Sequence, residues 1–317
     1  MEKPKYIRRG GVQVYQQPFL GQRVRYYGFV LEADTAAIQK NYCDRCLNEP
    51  SGGNVQFRAA IPYVVLAFTH IERLQSQTQP YHDYGYFQEQ ETTIWVLTED
   101  MQRHELYWGI PYIFVNNPLA IAMGREVYGF PKEYAWFDIP TNPSEAAFLS
   151  VDTIAIETYG PSSEGIRQRL IDVTRTYPKG DENTQSGHVW TSMSEAVEAV
   201  WSLLEHQANI QTDLRLIFNT TSDLIHGRIP MVFLKQFRDV TDGEYACYQS
   251  IVESAVTVPN FYGGQFLPDD YEVDILPYDS HPIRQDLGLK SGPLKPVLSF
   301  STYFDLEIGA GKEIWKA

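Results

Sequence analysis

Between residues 124 and 137 a single lysine stands in a run of aromatic rings. The segment reads Gly124-Arg125-Glu126-Val127-Tyr128-Gly129-Phe130-Pro131-Lys132-Glu133-Tyr134-Ala135-Trp136-Phe137. Burial among apolar rings disfavours an ammonium and lowers its pKa. A neutral amine at pH 7 is a nucleophile towards carbonyls. The alternative is a surface lysine whose stem lies along the rings while its head stays in water. Tyr128 and Phe130 are the candidate apolar contacts for a substrate. Arg125 and Glu126 either bind that substrate or form an internal ion pair that holds the turn. Gly129 and Pro131 shape the backbone that presents Lys132.

Other chemistries lack their patterns. Cys43 and Cys46 form a lone C-x-x-C, and the third cysteine, Cys247, is far along the chain. A zinc site needs about four ligands, so these thiols are expected to be solvated or half-buried at a helix end, with no metal. The histidines at 70, 82, 104, 188, 206, 226 and 281 form no ligand spacing. There is no G-x-S-x-G, no P-loop and no G-x-G-x-x-G. Asn219-Thr220-Thr221 matches a glycosylation sequon but lacks a signal peptide to give it meaning.

The elements that must position the lysine read mostly as strands. Aromatic and β-branched runs predict strands at Val24–Leu31, Ile61–Ile71, Glu91–Glu99, Leu106–Val115 and Ala147–Tyr159. Further strands are expected at Asp213–Phe218, Ile229–Gln236, Tyr248–Val258, Tyr271–Leu276 and Pro296–Ile308. Asp34 is a cap for a short helix over 35–40, and Pro118–Met123 begins a short helix or turn. Residues 1–25, with Gly10-Gly11, read as an arm, and 160–190 as a long polar loop or boundary. Met193, Ala196, Val197, Val200, Trp201 and Leu204 recur at helical spacing, with Ser192 and Glu195 fitting a capping box. Many strands, few helices and no βαβ alternation predict a mostly antiparallel sheet or barrel.

Composition narrows the partners. The 317 residues allow one large domain or two modest ones. Aromatic residues make up 14% of the chain, which favours β structure or an aromatic-lined cavity. A net charge of −14 repels phosphate backbones, so no nucleic-acid partner is expected. No stretch approaches a membrane span of about 20 residues, and the charged N-terminus leads into no apolar signal core. The cytoplasm is the expected location.

Gly-Arg-Glu, two residues, then Gly-Phe-Pro-Lys resembles the signature of the acetoacetate decarboxylase family. The run Val115 to Ala122 is similar to the family's lead-in, and Phe233–Phe237, Cys247–Thr257 and Val297–Ile308 resemble its C-terminal strands. The resemblance covers about residues 60–140 and 228–315; an insertion or diverged region around 145–225 interrupts a single domain spanning 1–317. It implies an α+β, mainly β fold: a large antiparallel sheet curling into a cone-like barrel, with peripheral helices. It further implies a homo-oligomer and a cofactor-independent enzyme.

In that family a lysine at the position of Lys132 forms a Schiff base with a β-keto acid and releases CO2. Glu89 lies at a position similar to a family active-site glutamate that moves protons; the alternative is a solvent-facing residue at a strand start. Three positions depart from the pattern. The lysine that usually follows the first is Glu133, the active-site arginine falls at Val24, and a second glutamate falls at Thr69. Arg23 and Arg25 flank Val24, and Arg25 is the candidate anchor for a substrate carboxylate. If Glu133 faced the lysine it would raise its pKa, but neighbours in a strand point to opposite faces. These departures keep two other readings open: an imine-forming aldolase or dehydratase acting on a keto acid or aldehyde, and a small-ligand binding protein on the same scaffold.

Overall fold

Long runs of aromatic and β-branched residues become long strands, and these close into a ring. A computed structural model describes residues 4–8, 14–142, 146–176, 189–207, 223–224, 226–267 and 270–317. The first strands are β1 (Phe19–Glu32), β2 (Phe57–Ser76), β3 (Phe87–Asp100), β4 (Glu105–Val115) and β5 (Lys132–Asp138). Then come β6 (Phe148–Ala155), β7 (Ile166–Thr176), β8 (Val189–Trp190) and β9 (Arg228–Arg238). The last are β10 (Ala246–Phe266), β11 (Asp270–Ile275), β12 (Leu298–Ile308) and β13 (Lys312–Lys316). The helices are α1 (Thr35–Ile38), α2 (Pro118–Met123), α3 (Met193–Gln207) and α4 (Ile283–Leu287).

Seven strands form the ring, in the order β1, β2, β3, β4, β9, β10, β12. An odd ring cannot alternate direction all the way round, so one neighbouring pair must be parallel. That pair is β4 with β9, joined at Trp108 and Met231. Beyond this contact β4 leaves the ring and pairs, again in parallel, with β5. The sheet is therefore mixed at β4 and antiparallel elsewhere. Strands β5, β6, β7 and β11 extend it as an apron.

The apron and the segment after α1 cover the outer face of the ring. Tyr27, Phe29, Leu66 and Phe68 face outward into that layer with Leu170, Ile171, Val173 and Tyr271. Strand β2 is thus buried on both faces, which accounts for its near-continuous apolar run. Asp34 caps α1 by accepting from the Ala36 amide at 2.8 Å. The chain then continues as a π-helical stretch, Gln39–Asn48, which buries Cys43 and Leu47.

Three sequence expectations change, the first being the arm over 1–25: Val14 and Tyr15 are buried and β1 begins at Phe19. Residues 166–176 form β7 and not a loop. Its inner side carries Leu170, Ile171 and Val173, while Arg167 and Arg169 on the other side pair with Asp152. Those paired charges gave the strand its polar composition. The third concerns the capping of α3. The Glu195 amide donates to the Ser192 hydroxyl at 3.3 Å, but the Glu195 carboxylate accepts from the Thr191 amide at 2.8 Å. The strand expected at 213–218, Gly10-Gly11, His188 and the sequon at 219–221 lie outside the described residues. No helix among those described is long and apolar enough to cross a membrane.

Candidate active site

Lys132 owes its position to a glycine-framed turn. Asn117 caps α2 by accepting from the Leu119 amide at 2.9 Å, with Pro118 at the first helical position. The helix runs on as a π-helical turn, Gly124–Tyr128. Gly129 then stops it at φ 87°, a left-handed conformation open to glycine at little cost. The amides of Gly129 and Phe130 both donate to the Gly124 carbonyl, at 3.0 and 3.1 Å. Pro131 follows and β5 begins at Lys132.

Lys132 is 8% exposed. Its Nζ donates to Glu89 Oε1 at 2.6 Å and lies 3.8 Å from Glu91 Oε2. Both glutamates face the ring interior: Glu89 stands opposite Ile71 and Glu91 opposite Thr69 on β2. The ammonium lies 5.8 Å from the centre of the Phe130 ring, which packs edge-on against Phe233 at 4.4 Å.

Three charges in one buried site compete. Burial pushes the Lys132 pKa down, but Glu89 and Glu91 more than offset this and hold it above the ordinary lysine value. The sequence expectation of a depressed lysine is corrected here: burial acts in the expected direction, but it is outweighed by two carboxylates. Burial pushes Glu91 up; Lys132 opposes, Glu89 adds, and the result is about 7. At neutral pH, Glu91 is therefore poised to give or take a proton while Lys132 is held as a cation.

The other candidates fall at different distances from this centre. Tyr128 is buried beside Phe130, but its hydroxyl donates to the Gly309 carbonyl at 2.9 Å. Arg125 is exposed and turns its guanidinium towards the Lys132 carbonyl at 3.5 Å. Glu126 accepts from the Tyr6 hydroxyl at 3.0 Å, and among the described residues no ion pair joins it to Arg125. Arg25 is not brought to the site. It lies opposite His70 and Tyr303 on the outer face of the ring, its guanidinium 4.9 Å from the Tyr303 ring centre. Strand alternation sends it away from Lys132.

Glu91 was missed by the sequence reading, although the signal is there. Gln88-Glu89-Gln90-Glu91 alternates with period two, so a strand carrying Glu89 inward carries Glu91 inward as well. Among the described residues no group of three or more His, Cys, Asp or Glu could hold a metal ion. Burial pushes both thiols of the C-x-x-C up, Cys46 to about 11, which keeps them protonated.

No family model matches the sequence, and no curated protein matches it. Solved structures do. Acetoacetate decarboxylase from Legionella pneumophila superposes with a TM-score of 0.61 at 16% identity, over 100% of this chain and 93% of that one. An acetoacetate decarboxylase-like enzyme from Sphingomonas wittichii RW1 gives 0.55 at 10% identity, over 96% of each chain. The enduracididine biosynthesis enzyme MppR, complexed with pyruvate, gives 0.53 at 12% identity, over 96% of this chain and 93% of that one. The chain has the acetoacetate decarboxylase fold.

Within that fold the three departures acquire positions. Val24 is fully buried and faces inward. Thr69 stands directly opposite Glu91 on β3. Glu133 faces away from Lys132 and accepts from or shares a proton with His281 Nε2 at 3.1 Å.

The ring interior also holds a partly open cavity of about 210 Å³, to which every ring strand contributes. Lys132, Glu89 and Glu91 do not line it. Tyr26 links the two: it lines the cavity, and burial first and the Glu91 charge second push its hydroxyl pKa up.

Proposed function

We propose that the protein is a Schiff-base lyase that decarboxylates a β-keto acid at Lys132. The observation that carries this reading is the buried Lys132 ammonium between Glu89 at 2.6 Å and Glu91 at 3.8 Å. Glu89 takes a proton from Lys132 Nζ, and the amine lone pair attacks the ketone carbon. Protonated Glu91 gives its proton to the departing hydroxyl, water leaves, and an iminium forms. The bond to the carboxylate then breaks; its electron pair moves to the iminium nitrogen as CO2 departs. A carboxyl returns a proton to the enamine carbon, and water hydrolyses the second iminium to ketone and free lysine.

The electrostatics suit this cycle even though they raise the lysine pKa. The iminium keeps the positive charge that Glu89 and Glu91 already stabilise, so the fixed carboxylates favour it over the neutral carbinolamine. Borohydride trapping tests the reading. Acetoacetate should leave a reduced adduct on Lys132, with one CO2 released per ketone formed. Full turnover by Lys132→Ala would sink it.

A second reading is favoured by one observation. Val24 occupies the arginine position and Arg25 points outward, so neither position offers a guanidinium to a carboxylate beside Lys132. An imine-forming aldolase or dehydratase acting on an aldehyde or keto acid would need no CO2 release. Trapping with such carbonyls but without CO2 would select it. A folded protein that traps no carbonyl would point to a binding protein instead.

A further inference from the structure

The cavity inside the ring is chemically unlike the lysine site. Tyr26, Trp95, Trp108, Trp190 and Phe300 give it aromatic walls, and among the described residues lining it none is charged. Met193, Ala196, Val197 and Val200 of α3 cover it. An apolar helical stripe ordinarily packs onto a core; here Met193, Val197 and Val200 pack beside Val30, Ile61 and Tyr63 and at the same time border the cavity. A cavity of roughly 150 Å³ with apolar walls stays dry and takes up benzene, so one of about 210 Å³ admits a larger apolar group.

Its place relative to Lys132 is set by β3. Glu91, Thr93 and Trp95 alternate on the inward face, opposite Thr69, Ala67 and Val65. From Glu91 to Trp95 is about 13 Å of strand. One end of this line holds the charges and the other has none. A keto or carboxyl group would lose its hydrogen bonds at the apolar end, while an alkyl or phenyl group would gain there.

We propose that the cavity under α3 receives the apolar tail of the substrate, making it a keto acid with a phenyl group or an alkyl chain of about six carbons. The proposal rests on the imine reading for the head group. On it, acetoacetate is a poor, truncated substrate.

The experiment compares borohydride-dependent labelling of Lys132 by acetoacetate, 3-oxohexanoate, 3-oxooctanoate and benzoylacetate. Labelling should rise about fourfold per added methylene, roughly 250-fold over the four methylenes from acetoacetate to 3-oxooctanoate. Val197→Phe should flatten the series, and Met193→Ala should extend it to 3-oxodecanoate. A flat series in the unaltered protein, or a series that neither variant moves, overturns the proposal. Butylbenzene, which has no carbonyl, separates the tail pocket from the chemistry. It should raise the melting temperature and perturb tryptophan emission in the unaltered protein, and do less in Val197→Phe. If no carbonyl labels Lys132, the imine reading fails and butylbenzene alone decides: a response lost in Val197→Phe upholds an apolar-ligand site, and no response overturns it.

Discussion

Gly124 and Lys132 pack backbone against side chain: a Cβ at 124 would lie 2.7 Å from Lys132 Cδ and 3.0 Å from its Cε. The lysine stem runs over the one residue type that leaves it room. A glycine eight residues upstream thereby fixes where the ammonium sits.

Gly124→Ala is expected to fold, because a flexible lysine stem can give way and alanine suits a helical turn better by about 1 kcal/mol. The displaced Nζ should lose its alignment. Adduct formation is expected to fall by about 100-fold for a 1 Å misplacement. Chemical denaturation and borohydride trapping on the same variant check both halves.

Gly129→Ala should behave in the opposite way. Its Cβ would lie 2.6 Å from Lys235 Cα and 2.7 Å from the Leu234 carbonyl, at φ 87°, where no side-chain adjustment helps. A loss of about 2 kcal/mol or more is expected. The urea midpoint should drop well below that of Gly124→Ala.

Glu91 makes a signed prediction about pH. Its pKa is raised from 4.5 to about 7 in the folded protein. A group raised on folding contributes stability that is fully present below the unfolded value and is lost as pH rises through the folded one. Between pH 4.5 and about 7 its contribution should therefore fall as pH rises. Glu91→Gln should remove that slope from the difference between the two unfolding curves. Turnover should lose the limb near pH 7 in the same variant.

Glu89 and Glu133 should part company in their effect on Lys132. Glu89 raises the lysine pKa from inside the ring, while Glu133 is turned outward to His281. Glu89→Gln is expected to move the pH midpoint of trapping downward and lower its plateau. Glu133→Lys, which introduces the residue typical of the signature this segment resembles, should leave that midpoint in place. Its half-exposed contact with His281 is worth at most about 1 kcal/mol, readable in the thermal midpoint.

Much of this was legible in the sequence, for reasons that differ by residue. Lys132 was found through its motif, and β1 to β4 through aromatic and β-branched runs. Arg25 shows the limit of the same method. A shift of one residue along a strand reverses the face, and only the pairing of Tyr26 with Thr69 shows that Arg25 looks outward. β7 was hidden because its exposed face carries Arg167 and Arg169, whose charges read as loop until they are paired with Asp152 on the preceding strand β6. The periodicity of α3 showed an apolar face but not that the face covers a cavity. The raised pKa of Lys132 was out of reach while Glu91 stood outside the site.

The parallel bridge between Trp108 and Met231 also orders events in time. A nascent chain that has emerged through β5 already carries Lys132 with both glutamates, yet Phe233 and the rest of β9 have still to be made. At about 5–20 residues per second, the lysine waits roughly 5–20 s for that wall. A ribosome-stalled chain ending before residue 228 should react with amine-directed reagents at Lys132, and the full chain followed by a C-terminal linker long enough to bring β12 outside the ribosome should be protected. Equal reactivity in the two would show that the ring is not what shields the amine.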